Sequence, residues 1–587
     1  MPALRDLTLR ALALSNVKSS TSNSSSSQNS PSVLGTGSLN LPPFLTNNSL
    51  PQGYPWGSKT ALNANPYVDS PDTGVTRHYD LAIAKGTIAP DGVEMTGITC
   101  NGQFPCPLIE ANWGDWIEVT VTNNIPTEGT SVHWHGFLQQ QTPWMDGVPG
   151  VGQCPIAPGS SFTYRFKATL YGSSWYHSHY SSQYGSGLVG PIVVYGPKNA
   201  DYDLDVGPVM LGDWYHTYYE QAVAGIMKPI PHDTTPRSVN NLINGRNSFD
   251  CSKTSQKCKS NAGIATLNFT SGKTHRLRLA NHGAAGTQKF SIDGHTMTVM
   301  ANDFVPIVPY DTNVVTLSVG QRTDVLVKAN KNSRTAVYMR AHIPPNCAPT
   351  DGGNTALGAI YYEDADTSKA PTSSPQSGWD SSYCGNDALS KTVPYFAIAA
   401  GTPGFTEKIT VRFGSNGTHR LWYQNDQTFR INYNDPALLE VKLGGTIPKI
   451  SSVHDYGSNK SVRFVIENHS GEAHPMHLHG HNIFVVAEGR GAWDGKTQHI
   501  ENPQRRDVQQ MLPGGYVVLQ WFQDNPGVWP LHCHIAWHIS TGYLWHVLER
   551  PADITNNMQI PSIMAQTCRD WSAWTGQHMV NQIDSGL

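Results

Sequence analysis

The stretch His532-Cys533-His534-Ile535-Ala536-Trp537-His538 decides how the rest of the chain is read. In an extended strand, successive side chains point to opposite faces. His532 and His534 then share one face and Cys533 takes the other. A thiolate with two imidazoles and a weak or missing axial ligand is the ligand set of a blue-copper electron-transfer site. Cys533 can therefore serve one copper while its two neighbours hold other metal ions behind it. The Cys533 backbone would be a short covalent wire between two metal sites.

Three more histidine clusters stand upstream: His133-Trp134-His135-Gly136, Trp175-Tyr176-His177-Ser178-His179, and His474-Pro475-Met476-His477-Leu478-His479-Gly480-His481. Two His at i and i+2 on a strand share a face. Pro475 disfavours helix, so His477 and His479 are expected on one face. His474 has the opposite parity and can face the Cys533 side. The two C-terminal clusters can thus together supply Cys533, His474 and His538 to one copper. His133, His135, His177, His179, His477, His479, His532 and His534 remain, enough imidazoles for three further coppers. Imidazole ligation suits copper, iron or zinc, and the adjoining thiolate site favours copper. His481 exceeds the ligand count and is expected to play a supporting role.

The rest of the composition narrows the class. The 587 residues allow roughly three or four domains. Charged residues are 14%, against about 25% in an average soluble protein. Fifty-four Gly and 40 Pro favour strands and turns over long helices. The net charge is -4 with no basic run, so nothing speaks for nucleic acid. No stretch of eighteen apolar residues suggests a membrane span. Of nine cysteines, setting Cys533 aside leaves eight, the even number of a disulfide framework. Six N-x-Ser/Thr sequons, at Asn23, Asn47, Asn268, Asn416, Asn459 and Asn468, join the cysteines in suggesting secretion. Met1–Ser15 breaks its Leu/Ala run with Arg5, Asp6 and Arg10, a poor secretory core. Residues 16–50 are rich in Ser, Asn and Pro, as a disordered leader is.

Alternating strands begin near Thr73, with His78-Tyr-Asp-Leu-Ala-Ile-Ala and Trp116-Ile-Glu-Val-Thr-Val-Thr. A leader over 1–70 and a first unit over 71–197 are expected. Residues 198–375 carry strand signals without a His-x-His pair and read as a spacer that builds a substrate wall. The Ser/Pro/Gly-rich stretch 366–392 reads as a linker. The final unit, 376–587, holds the densest His cluster and Cys533. Short, regularly spaced strands indicate an all-β chain of β-sandwiches.

The four motifs resemble those of the multicopper oxidases, most closely the ascomycete-type fungal laccases, over roughly residues 70–587. The resemblance implies three cupredoxin-like, Greek-key domains with a trinuclear copper cluster between the first and third. It implies four copper ions. His474, Cys533 and His538 would bind type 1, and His133 and His477 type 2. His135, His177, His179, His479, His532 and His534 would bind the type 3 pair. It pairs Cys154 with Cys568 and Cys347 with Cys384. Cys251–Cys258 and Cys100–Cys106 could each close a local loop. The terminal Asp584-Ser-Gly-Leu587 resembles a processed tail that enters the channel to the trinuclear site.

The family's axial position, ten residues after the Cys, usually holds Leu, Phe or Met. Here it is Tyr543, followed by Leu544. Tyr543 is expected to pack near the type 1 copper without ligating it. The implied reaction is one-electron oxidation of phenols or aromatic amines coupled to reduction of O2 to water, in a secreted monomer. His538 is the expected exposed edge, with Trp537 beside it in the pocket. Asp250 is the candidate pocket acid and Asp115 the candidate proton relay. The rival readings are a bilirubin oxidase, ascorbate oxidase or ferroxidase, or a non-catalytic copper-binding cupredoxin.

Overall fold

A computed structural model describes residues 56, 58–230, 235–380 and 382–587. Six sheets stack in three pairs along the chain. The first pair draws its strands from Thr76–Ile88 through Val189–Tyr195, the second from Leu204–Trp214 through Thr355–Tyr362, and the third from Phe405–Ser415 through Leu544–Glu549. The chain is all-β in architecture, three cupredoxin-like sandwiches. Alternation explains the strands. Trp116–Asn123 alternates half-buried and buried residues along its whole length. Its partner Ser161–Lys167 does the same, with Phe162, Tyr164 and Phe166 turned inward. Such strands cover a core with one face only.

Strand Gly527–Cys533 breaks that pattern, because every one of its residues is buried. It lies in the middle of a five-stranded sheet, between Leu544–Glu549 and His474–Leu478. A central strand covered on both faces reads as a continuous run. Here one face meets the interior of the third sandwich and the other meets the first. The largest hydrophobic core cluster accordingly mixes residues of the first and third units, from Trp134 and Trp175 to Trp529 and Leu531. The second unit keeps a core of its own, centred on residues such as Leu277, Phe290 and Val325.

Covalent bonds reinforce this arrangement. Cys154–Cys568 joins the first unit to helix Ser562–Thr575, whose Met564, Thr567 and Trp571 are buried. Cys347–Cys384, Cys100–Cys106 and Cys251–Cys258 close the other bridges, leaving Cys533 as the buried free thiol.

Some expectations need correction. Much of the expected leader, residues 1–55, lies outside the described residues, and so do the sequons at Asn23 and Asn47. The leader's last part is not loose: Ala61 and Ala64 are buried, and Asp69 accepts the Asn65 N–H at 2.7 Å. The stretch read as a linker is strapped to the second unit. Gln376 Nε2 donates to the carbonyls of Ile292 and His295, and Asn386 exchanges amide bonds with Gln321. Polar side chains and the Cys347–Cys384 bridge hold it. No helix among the described residues is long and apolar enough to cross a membrane.

Candidate metal centre

The pairing register places the ligand candidates. Met476 faces Cys533 across the sheet, and His477 faces His532. Parity therefore puts His474 and Cys533 on one side and His477, His532 and their i+2 partners on the other. His474 Nδ1 lies 3.6 Å and His538 Nδ1 3.5 Å from Cys533 Sγ, and the three form a buried triad of potential ligand atoms. Their outer nitrogens are occupied: His474 Nε2 by the Ser470 hydroxyl at 2.9 Å, His538 Nε2 by the Glu472 carboxylate at 3.0 Å. Hydrogen bonds on the far nitrogen fix the ring and make the near one more basic. Burial pushes the Cys533 thiol well above its ordinary range. A thiolate there needs a bound cation beside it.

Tyr543 packs against this group. Its ring is 5.1 Å from that of His474 and stacks on Trp422 at 5.2 Å. Its hydroxyl is buried with no hydrogen-bond partner among the described residues. Leu544 pairs with His532 in the sheet, so it shares the opposite face. Trp537 is buried against Tyr215, whose ring is 5.3 Å away, so it fills the packing between units.

Behind the strand, eight imidazoles converge: His133, His135, His177, His179, His477, His479, His532 and His534, all nearly or fully buried. His133 and His479 rings are 4.1 Å apart, and His135 stacks on His477 at 4.1 Å. His479 and His532 bring their Nε2 atoms within 3.0 Å. Burial lowers the pKa of His135, His177, His179, His477, His479 and His534, and that of His532 to about 3; neighbouring imidazoles add to the shift. They are neutral, with lone pairs available. Nε2 of His133, His177 and His477 and Nδ1 of His179 and His534 have no hydrogen-bond partner among the described residues. Buried polar atoms are rarely left so, and a shared metal cluster accounts for them.

Acids unmarked by the motifs orient these rings. The Asp146 carbonyl accepts from His133 Nδ1 at 2.7 Å, and its carboxylate from His479 Nδ1 at 2.9 Å. Asp507 meets His135 Nε2 at 3.0 Å with its carboxylate and His477 Nδ1 at 2.7 Å with its carbonyl. Burial raises the Asp507 pKa and Arg322 opposes the shift with bonds of 2.6 and 2.5 Å to the two oxygens. Arg322 belongs to the second unit, so all three units meet here. Gly136 ends the first motif at φ +81°, and a Cβ on it would lie 2.5 Å from both Arg322 and Asp507. Only glycine combines that conformation with that approach.

Asp115 and Asp250 make their hydrogen bonds outside the two groups. Asp115 is buried, and its carboxylate accepts from Arg77, Thr73 and the Asn112 N–H. Asp250 caps a short turn by accepting from Ser252. Neither has a cluster imidazole among its hydrogen-bond partners. The C-terminal tail does reach the region. Asp584, Ser585 and Leu587 are buried, Ser181 donates to the Asp584 carboxylate at 2.7 Å, and the Ser585 N–H bonds the Ser540 carbonyl at 2.8 Å. Ser181 is two residues from His179 and Ser540 two from His538.

The multicopper oxidase family models match residues 82–199, 205–365 and 410–553. The chain belongs to the multicopper oxidases. Laccase-2 of Botryotinia fuckeliana is 38% identical over 91% of this chain and 92% of its own. Oxidoreductase OpS5 of Beauveria bassiana is 40% identical over 91% of each. The crystal structure of laccase from Botrytis aclada is 36% identical, with a TM-score of 0.84 over 90% of this chain and all of that one. Copper is the metal such an oxidase implies, and the donor set fits it: one thiolate-forming sulfur with two imidazoles, and eight imidazoles behind. Sequence reasoning missed Asp146, Asp507, Arg322 and Glu472, because no short motif carries them.

Proposed function

We propose that this multicopper oxidase is a laccase, which oxidises aromatic donors one electron at a time and reduces O2 to two waters. Four donor oxidations supply the four electrons that, with four protons, balance one O2. The observation that carries the reading is Cys533 placed between His532 and His534, with a separate set of donor atoms on each face of one strand. We assign His474, Cys533 and His538 to a type 1 copper. His133 and His477 are assigned to type 2, and His135, His177, His179, His479, His532 and His534 to a type 3 pair. Copper, when bound, supplies the one-electron chemistry and the reduction of O2.

The chain's own part is geometric. Cys533 and its peptide neighbours offer a covalent path between the two groups. His538 offers the least buried ring of the first group, with residue exposure of 9% against 0% for His474 and Cys533. Asp146 and Asp507 fix the orientation of the rings they touch. Tyr543 is proposed to pack beside type 1 without ligating it. The four disulfides and the exposed sequon at Asn416 support secretion. We take the chain to be a monomer with unit boundaries near 197 and 375.

The test is oxygen uptake by the copper-loaded protein with 2,6-dimethoxyphenol, with a visible spectrum of the same sample. A strong blue band and one O2 consumed per four donors oxidised are expected. A colourless loaded protein, or uptake with iron(II) but no aromatic donor, would contradict the reading.

A further inference from the structure

One loop takes both outer nitrogens of the thiolate-site imidazoles. It runs between strands Ser461–Asn468 and His474–Leu478. Asn468 closes it: its Oδ1 accepts from the Ser470 N–H and hydroxyl, and its Nδ2 donates to the carbonyls of Glu472 and Leu512 at 2.7 and 2.9 Å. With that amide buried and doubly used, the sequon at Asn468 serves as a brace. Its product is the placement of Glu472, whose side chain is 57% exposed while its carboxylate sits 3.0 Å from His538 Nε2. Its second oxygen has no protein partner among the described residues. From solvent, the edge of His538 is therefore reached beside a carboxylate. The buried ring of Trp422 backs His538 at 4.7 Å, and Phe413, 43% exposed, lies 4.8 Å from Trp422.

We propose that Glu472 is the donor-docking group of this protein and selects cationic aromatic amines over anionic donors; this rests on the laccase reading above. The N–H of His538 is already engaged, so a donor meets the carboxylate before it meets the imidazole. A carboxylate accepts from an ammonium group and attracts its charge, whereas it repels a sulfonate.

The test compares wild type, Glu472→Gln and Glu472→Asp as copper-loaded enzymes. KM is measured for N,N-dimethyl-p-phenylenediamine and for the disulfonated donor ABTS. Calorimetry measures binding of the oxidation-inert probes phenyltrimethylammonium and benzenesulfonate. Glu472→Gln should raise the amine KM and weaken the inert cation by about fivefold, with the opposite sign for both anions, as expected for one part-exposed charge. Glu472→Asp should keep the wild-type order. Unchanged ratios, or equal losses for cations and anions, would overturn the proposal. The inert-probe result stands apart from turnover, so a protein that failed as a laccase would still report on Glu472.

Discussion

The two faces of strand Gly527–Cys533 are built in opposite ways. The thiolate side draws its potential ligands from one unit, on two neighbouring strands and a short helix, and the loop Asn468–Glu472 holds their outer nitrogens. The imidazole side is divided between the first and third units, and Arg322 of the second closes it through Asp507. One side is local and opens toward solvent at Glu472. The other is a junction that exists only when three units are docked. Damage to the docking should therefore strip the junction first and leave the thiolate side standing.

The largest expected effect comes from Asp507→Ala, which takes from buried Arg322 its two-oxygen partner and leaves it only Asp303 at 3.5 Å. Breaking such a pair costs about 3–5 kcal/mol. Thermal denaturation should show that loss. Metal analysis should show copper missing from the imidazole side, while the folded fraction keeps its blue band. Equal loss of both would remove the distinction. Breaking Cys154–Cys568 with Cys154→Ser should cost about 2–4 kcal/mol. Limited proteolysis should then release the C-terminal helix and tail before the sheet holding Cys533.

Metal-depleted protein should feel the two sides at opposite ends of the pH scale. His135, His177, His179, His477, His479, His532 and His534 have folded-state pKa values below the unfolded value of about 6.5. Between that value and about 3, the folded pKa of His532, the unfolded chain binds more protons. Stability is present above pH 6.5 and lost as pH falls, by up to about 1.4 kcal/mol per pH unit for each group. Cys533 has the reverse sign: its folded pKa is raised, so stability falls as pH rises above the unfolded thiol pKa of about 8.5. Denaturant midpoints at pH 4, 7 and 10 measure both arms, and bound copper should flatten them. The smallest effect is expected from Tyr543→Phe. Removing a buried hydroxyl that bonds nothing should be neutral or stabilising by about 1 kcal/mol, with the blue spectrum unchanged. A shifted spectrum would place that hydroxyl at the metal.

How much of this was legible in the sequence follows the same division. The His-x-His and His-Cys-His motifs could be read because strand parity converts spacing directly into facing. The sandwiches could be read because strands such as Trp116–Asn123 alternate. Asp146 and Asp507 could not, because they reach His479 and His135 across 333 and 372 residues. Glu472 stood two residues before His474 in plain view, but its role depends on a loop closed by Asn468, which reads as a sequon. Asp250 and Asp115 were read from the sequence as acids, and their visible partners are a turn and an arginine.

The most direct measurement is on Cys533→Ser: copper per chain, visible spectrum and oxygen uptake with an aromatic donor. The account predicts loss of the blue band and of donor oxidation, with three coppers retained behind the strand. A variant that still consumed O2 with the donor, or that lost all its copper together, would contradict it.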